Sequence, residues 1–258
     1  MKPRVDFVIG GAQKAGTTAL ARYLSRHPDV ALPARKEAHV FDAPDFDDDW
    51  GVAEVDARYA PHFPEAGGHA LLGDATPIYM LHPRLIRRIA RYNPSMRWIV
   101  LLRDPVDRAI SQYHMERRRH LETWPLPAAL ALEPLRLAGH ADDFSDASPL
   151  RTKSYLRRGR YADQLDAIHS CFPTTQVLVL LSDDLRCDPA SVIARVCTFL
   201  EIPQPPEPPV PERVHEGAYA PPGAFVRGLA RLLLWQPSRR LRQRYGISFP
   251  RGRGPSRA

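Results

Sequence analysis

Three short, strongly apolar runs set the main limit on what this chain can fold into: residues 5–9 in VDFVIG, interrupted only by Asp6, 98–102 in MRWIVLLRDP and 177–181 in QVLVLL. Each is of strand length and rich in Val, Ile or Leu, as a strand buried on both faces would be. A shorter strand lies in HALLGDATP and ends at Asp74. Between the strands the apolar period becomes that of a helix. Leu20, Tyr23 and Leu24 share one face of a helix over 17–26. PRLIRRIARYNP is a helix stopped by its own Asn-Pro, and residues 106–120 and 161–172 are helical. Asp188 and Pro189 open a further helix, with Val192, Ile193, Val196, Phe199 and Leu200 in one stripe. Strands alternating with helices predict an α/β fold, with a central parallel sheet flanked by helices.

The 258 residues suffice for one full core, and 44% hydrophobic with 25% charged residues is a globular composition. No apolar stretch is long enough to cross a bilayer, and MKPRVDF has no signal-peptide character. Cys171, Cys187 and Cys197 lack metal-ligand spacing. The expectation is a cytoplasmic protein with reduced thiols and no metal site. The net charge of +7 is local: residues 223–258 hold nine arginines and no acid, leaving 27 bases against 29 acids elsewhere. Basicity therefore belongs to the tail and does not mark the body as a nucleic-acid binder. The chain divides into a main domain, 1–222, with an inserted lid or substrate segment at 123–152, and a basic amphipathic segment, 223–258. PQPPEPPVP at 203–211 is expected as stiff polyproline II. DAPDFDDDW at 42–50, with five aspartates, is expected as a solvated acidic loop.

Two segments carry chemistry. GGAQKAGTTAL follows the first strand directly and opens a helix. It keeps Gly11 and Gly16 at the spacing of a nucleotide-triphosphate loop, but Thr17 stands where that loop has its lysine, and the one lysine is Lys14. The amides of such a loop and the helix start form an anion cradle, to which Thr17 and Thr18 add hydroxyls. The second segment, LLRDPVDRAISQYH, places Arg103 at a strand exit and Ser111 in the next helix, a forked donor and a hydroxyl for a second phosphate. Taken alone, the first is also a plain strand-to-helix turn, and Arg103 with Asp104 also reads as a structural ion pair.

With HPDV at 27–30, KEAHVFD at 36–42, TPIY at 76–79 and the stretch from RGRYADQLD to LEIP, these segments resemble the sulfotransferases that use 3′-phosphoadenosine 5′-phosphosulfate (PAPS). The nearer likeness is to the heparan-sulfate and related bacterial branch. The resemblance spans about residues 5–203. It implies a P-loop-like three-layer sandwich and transfer of a sulfuryl group to a hydroxyl or amine of a carbohydrate, lipid-linked or small-molecule acceptor. The product nucleotide is 3′-phosphoadenosine 5′-phosphate, and no metal is required. By the same resemblance Lys14, Ala15, Gly16, Thr17 and Thr18 hold the 5′-phosphosulfate, and Arg103 and Ser111 the 3′-phosphate. Glu37 is the catalytic base, and Lys14 stabilises the leaving phosphate oxygen. His39, Asp74 and Tyr79 are expected at the acceptor. Gly217 and Tyr219 in HEGAYAP match the loop that closes the nucleotide site, with Glu216 where the family has a base. Ala75 stands where the eukaryotic members carry a lysine.

In the tail, Phe225, Val226, Leu229, Leu232 and Leu233 fall on one helical face, with Arg227 and Arg231 off it. That pattern fits a last helix docked on the core, or one lying at an anionic membrane surface on the inner face of the membrane. Two readings compete with sulfuryl transfer. One is an ATP-dependent small-molecule kinase, for which Asp74 is the only contender as a Mg²⁺-binding acid. The other is a non-enzymatic nucleotide- or membrane-binding module.

Overall fold

The computed structural model describes residues 4–63, 71–205, 207, 209, 220 and 222–249. Five strands form one parallel sheet: β1 (Phe7–Gly11), β2 (Val30–Ala31), β3 (Leu71–Asp74), β4 (Arg97–Leu102) and β5 (Val177–Leu181), in the order β2-β3-β1-β4-β5. The four strands read from the sequence are present. β2 was not expected, because two residues at the end of HPDV and just after it carry no period. β1 and β4 are almost wholly buried, which is why their sequences are apolar without alternation. Gly73 allows β3 to lie close to β1: a Cβ there would sit 2.1 Å from the Phe7 ring.

Helices flank the sheet: α1 (Thr17–Leu24), α2 (Val52–Tyr59), α3 (Pro83–Tyr92), α4 (Pro105–Arg118), α5 (Leu126–Ala131), α6 (Glu133–Leu137), α7 (Pro149–Thr152), α8 (Tyr161–His169), α9 (Ser182–Cys187), α10 (Pro189–Leu200) and α11 (Ala224–Tyr245). Their starts follow the local chemistry. Asp188 caps α10 by accepting the Ser191 N–H at 3.0 Å, and Pro189 occupies the first position. Asp104 does the same for α4, accepting from Val106 and Asp107 at 2.9 and 3.0 Å. That is its role in place of the ion pair with Arg103. α3 ends at Tyr92, where the following Asn93 donates its side-chain amide to the Val5 carbonyl.

Segment 123–152 is neither featureless nor detached. α5 lies within it, and Leu126, Ala129 and Leu130 join Val106, Ala109 and Ile110 of α4 and Ala230 and Leu234 of α11 in a second apolar cluster. α11 is docked on the body, but only partly by the face expected: Val226 packs against this cluster. Ala230, Leu234 and Leu241 point inward, whereas Phe225 and Leu232 are 76% and 73% exposed. Ion pairs set this rotation: Arg227 to Asp107 at 2.7 Å, Arg240 to Asp163 at 2.7 Å and Arg244 to Asp166 at 2.5 Å. Arg227, expected off the docking face, is one of the residues that holds it. The acidic loop is also tied down. Asp48 receives Arg84 and Arg88, Asp45 receives Arg58 at 2.5 Å, and Asp42 is fully buried. Most of the expected polyproline segment, with the Gly217 and Tyr219 loop, lies outside the described residues.

Candidate functional site

The carboxyl ends of β1, β3 and β4 bring three segments together. The loop after β1 turns into α1 through Lys14 and Gly16, at φ 69° and 98°, the left-handed region that glycine adopts without strain. No side chain caps α1. The positive end of its dipole and its first amides are therefore available to an anion. Arg103 leaves β4 and donates from Nη1 to the Lys14 carbonyl at 3.2 Å, so the two sequence motifs form one structure. Its own carbonyl accepts the Tyr161 hydroxyl at 2.8 Å. Ala15 and Thr17 are buried, Thr18 is half-buried and Ser111 is 8% exposed on α4. Burial, followed by the charges of Arg118, Arg103 and Arg119, lowers the Lys14 pKa against the opposing pull of Glu116. A lysine and three arginines crowd this end of the sheet, and an incoming polyanion would relieve their repulsion.

Opposite this loop, residues 36–42 form a chain of charged groups. Lys36 Nζ donates to Glu37 Oε1 at 2.7 Å and reaches Thr17 Oγ1 at 3.4 Å. One ammonium thus links the glycine loop to the carboxylate. On its other side, His39 Nε2 lies 3.2 Å from Glu37 Oε2, and His39 Nδ1 lies 2.8 Å from Asp42 Oδ2. Asp42 is held in turn by Arg151 Nη2 at 2.7 Å. Burial would raise the Glu37 pKa, but the hydrogen bond from His39 and the charge and hydrogen bond of Lys36 bring it to about 2. Burial would likewise lower His39, yet Asp42 and Glu37 carry it up to about 9. At neutral pH Glu37 is therefore a carboxylate and His39 an imidazolium.

Asp74 and Tyr79 were expected at the acceptor, and both are fully buried. Asp74 accepts hydrogen bonds from Thr76 Oγ1 at 2.6 Å, from the hydroxyls of Tyr79 and Tyr59 at 2.7 and 2.9 Å, and from the Ala38 N–H at 3.3 Å. The Tyr79 hydroxyl also accepts the Val40 N–H at 3.1 Å. These residues fix the backbone on either side of His39, so they position the charged chain instead of facing the cleft. The same donors engage the one acid considered as a Mg²⁺ ligand. Among the described residues, no group of three or more His, Cys, Asp or Glu is arranged to hold a metal ion.

Three contributors were not legible as functional. Lys36 and Asp42 lie within KEAHVFD, but the sequence gives neither a role, and Asp42 falls in the expected acidic loop. Arg108 is fully buried on α4; it donates to Gln112 Oε1 at 2.9 Å, to the Tyr155 carbonyl, and to the Gln13 carbonyl at 3.5 Å. It braces the glycine loop against the segment after α7. The only signal for it was the spacing of Arg108, Gln112 and Glu116, three polar residues on one helical face that turns inward.

A glycine loop at the carboxyl end of a parallel sheet, opening an uncapped helix toward a cluster of cations, is how P-loop-like transferases hold a phosphate-bearing donor. This chain belongs to the sulfotransferase domain family, a family of sulfuryl-transfer enzymes, which it matches over residues 4–216. Heparan sulfate glucosamine 3-O-sulfotransferase 6 of Mus musculus is 33% identical over 193 residues, 75% of this chain and 51% of that protein. The membrane-associated sulfotransferase kil1 of Dictyostelium discoideum is 36% identical over 112 residues, 42% of this chain and 22% of that protein. The chain therefore spans about half or less of the length of these curated relatives. The crystal structure of a sulfotransferase from Alicyclobacillus acidocaldarius superposes with a TM-score of 0.76 at 28% identity, covering 96% of this chain and 98% of that one. Among the described residues no helix is long and apolar enough to cross a membrane.

Proposed function

We propose that this protein transfers the sulfuryl group of PAPS, in line, to a hydroxyl or amine of a carbohydrate, glycolipid or small-molecule acceptor. The observation that carries this reading is the Lys36 ammonium, which joins an uncapped, cation-lined anion loop to a paired carboxylate. When bound, PAPS supplies a sulfuryl group on a phosphate oxygen and departs as 3′-phosphoadenosine 5′-phosphate. The acceptor oxygen or nitrogen forms a bond to sulfur as the bond from sulfur to the 5′-phosphate oxygen breaks.

Each residue then has a task of its own. The amides of residues 15–18 and the hydroxyls of Thr17 and Thr18 hold the 5′ end, and Lys14 meets the charge that grows on the leaving oxygen. Arg103 and Ser111 hold the 3′-phosphate, with Gly217 and Tyr219 closing over the nucleotide. Glu37 takes the proton of the acceptor group. His39, fixed by Asp42, orients Glu37 and keeps it ionised. Lys36 is shared between base and donor loop, so an anion beside Thr17 draws its charge away from Glu37. Its departure strengthens Glu37 as a base at the moment the donor is in place.

Calorimetric titration with 3′-phosphoadenosine 5′-phosphate, and separately with ATP–Mg²⁺, tests the donor assignment. The bisphosphate is expected to bind, ATP–Mg²⁺ to bind far less tightly, and Arg103→Ala to weaken the bisphosphate by about tenfold or more, the loss of a charge-assisted phosphate contact. Tighter binding of ATP–Mg²⁺ would overturn the donor assignment in favour of a kinase. A membrane-surface contact is a second, separate reading. It is favoured by the outward Phe225, Leu232 and Trp235 of α11, which lie on the helix that carries Arg231, Arg239 and Arg242.

A further inference from the structure

One large groove lies apart from the donor and base loops. It is lined by residues of α6, α8 and α11 and by Pro83 at the start of α3, with a volume of about 600 Å³, the size of a small-molecule site. Its walls are apolar, formed chiefly by Met80, Leu81, Leu137, Leu156, Leu233 and Leu234. No Phe, Tyr or Trp lines it, so it offers no ring on which a nucleobase would stack.

The polar lining is mostly engaged already. Glu133, almost fully buried, accepts the N–H groups of Leu156 and Arg157. Asp163 pairs with Arg240 at 2.7 Å, and Gln164 donates to the Arg157 carbonyl at 3.0 Å. The guanidinium groups of Arg157 and Arg160 remain, and neither forms an ion pair with a carboxylate among the described residues. Burial lowers the Arg157 pKa, Glu133 opposes it, and the Arg160 charge adds to the lowering. The groove is therefore apolar along its length with two guanidinium groups that have no close carboxylate partner, Glu133 and Asp142 acting on Arg157 only at longer range. Leu135 on α6 and Leu232 and Trp235 on α11 are 72%, 73% and 60% exposed, which extends the apolar character outward on the same helices.

We propose that this groove binds a single-chain anionic amphiphile, with its hydrocarbon chain along the leucines and its acidic head against Arg157 and Arg160. A wholly apolar ligand would bury the two guanidinium groups without partners, at a cost. A small anion would leave the leucine walls in water. Only a molecule that combines the two satisfies both ends. The site is separate from the donor loop, which it touches through Met80, whose side chain packs against Gly11. It goes beyond the donor reading and does not depend on it.

The test is calorimetric titration of the full chain with decyl phosphate below its micelle concentration, in the presence of saturating 3′-phosphoadenosine 5′-phosphate to keep phosphate out of the donor loop. One-to-one saturable binding is expected, with none for inorganic phosphate. Leu233→Asp, at the chain end, and the pair Arg157→Gln with Arg160→Gln, at the head, should each weaken it by about tenfold or more. The bisphosphate titration of the same variants should be unchanged, which shows that they fold and keeps the two readings apart. Absence of saturable binding, or binding indifferent to both sets of substitutions, would overturn the proposal. So would binding confined to phosphatidylglycerol vesicles and abolished by Trp235→Asp, an outcome that assigns this face to the membrane surface instead.

Discussion

Replacing Glu37 by Gln lowers turnover by about 10²–10⁴-fold, the range for losing a positioned proton acceptor, and leaves binding of 3′-phosphoadenosine 5′-phosphate intact. Gln keeps the size of the side chain and one acceptor oxygen, so one of Lys36 and His39 keeps its acceptor while the other meets an amide nitrogen, and the proton-accepting capacity goes. Unchanged turnover would remove Glu37 from the chemistry and leave the cleft without a base. The pH dependence of stability follows from the same pair. Glu37 lies below its usual value, so its contribution is present above about 4.5 and is lost as pH falls toward about 2. His39 lies above its usual value, so its contribution is full below about 6.5 and is lost as pH rises through about 9. Thermal unfolding followed across pH should therefore show a decline on the alkaline side that His39→Gln removes. Activity should decline over the same range, because a neutral imidazole that donates to Asp42 turns a lone pair toward Glu37.

Replacing Asp74 by Ala is the substitution with the largest expected effect on stability, about 3 kcal/mol or more, because it leaves several buried donors unmatched at once. Tyr59, Tyr79, Thr76 and the Ala38 amide all donate to this one carboxylate, which burial pushes up in pKa despite their hydrogen bonds. The loss also frees the backbone that carries Glu37 and His39, so turnover falls even where enough folded protein remains to bind the bisphosphate. Asp74→Asn is expected to be milder, since a tyrosine hydroxyl can rotate to accept from the new amide. Chemical denaturation of the two variants beside the parent measures this. A midpoint unmoved by Asp74→Ala would show that the network does not hold the loop.

How much of the site was legible varies residue by residue. Arg103 was legible because the end of an apolar strand is marked by the loss of its pattern, and a charge just beyond it must lie at the edge of the sheet. The glycine loop was legible because its glycines and its position between strand and helix are local facts. Asp74 and Tyr79 were legible as close to the site but not as its supports. Their burial depends on Tyr59 from α2 and on the backbone of residues 38–40, which no spacing connects. The C-terminal helix shows the same limit. Its apolar residues permit more than one face, and of those the sequence offered, Phe225 and Leu232 point outward while Val226 packs against the body.

By itself the sequence determined the strand and helix periods, the parallel sheet they require, the glycine loop between strand and helix and an arginine at a strand exit, since all of these depend on neighbours within a few positions along the chain; Glu37 was marked only by the family resemblance. Tertiary structure decided which charges meet. Lys36 between Thr17 and Glu37, His39 between Glu37 and Asp42, Asp42 held by Arg151 from more than a hundred residues away, and α11 turned by its pairs with Asp107, Asp163 and Asp166 all arise from packing. The physical reason is one of range. Hydrophobic periodicity is written into each segment separately, whereas the worth of a charge depends on what else is buried beside it, and only the folded chain determines that.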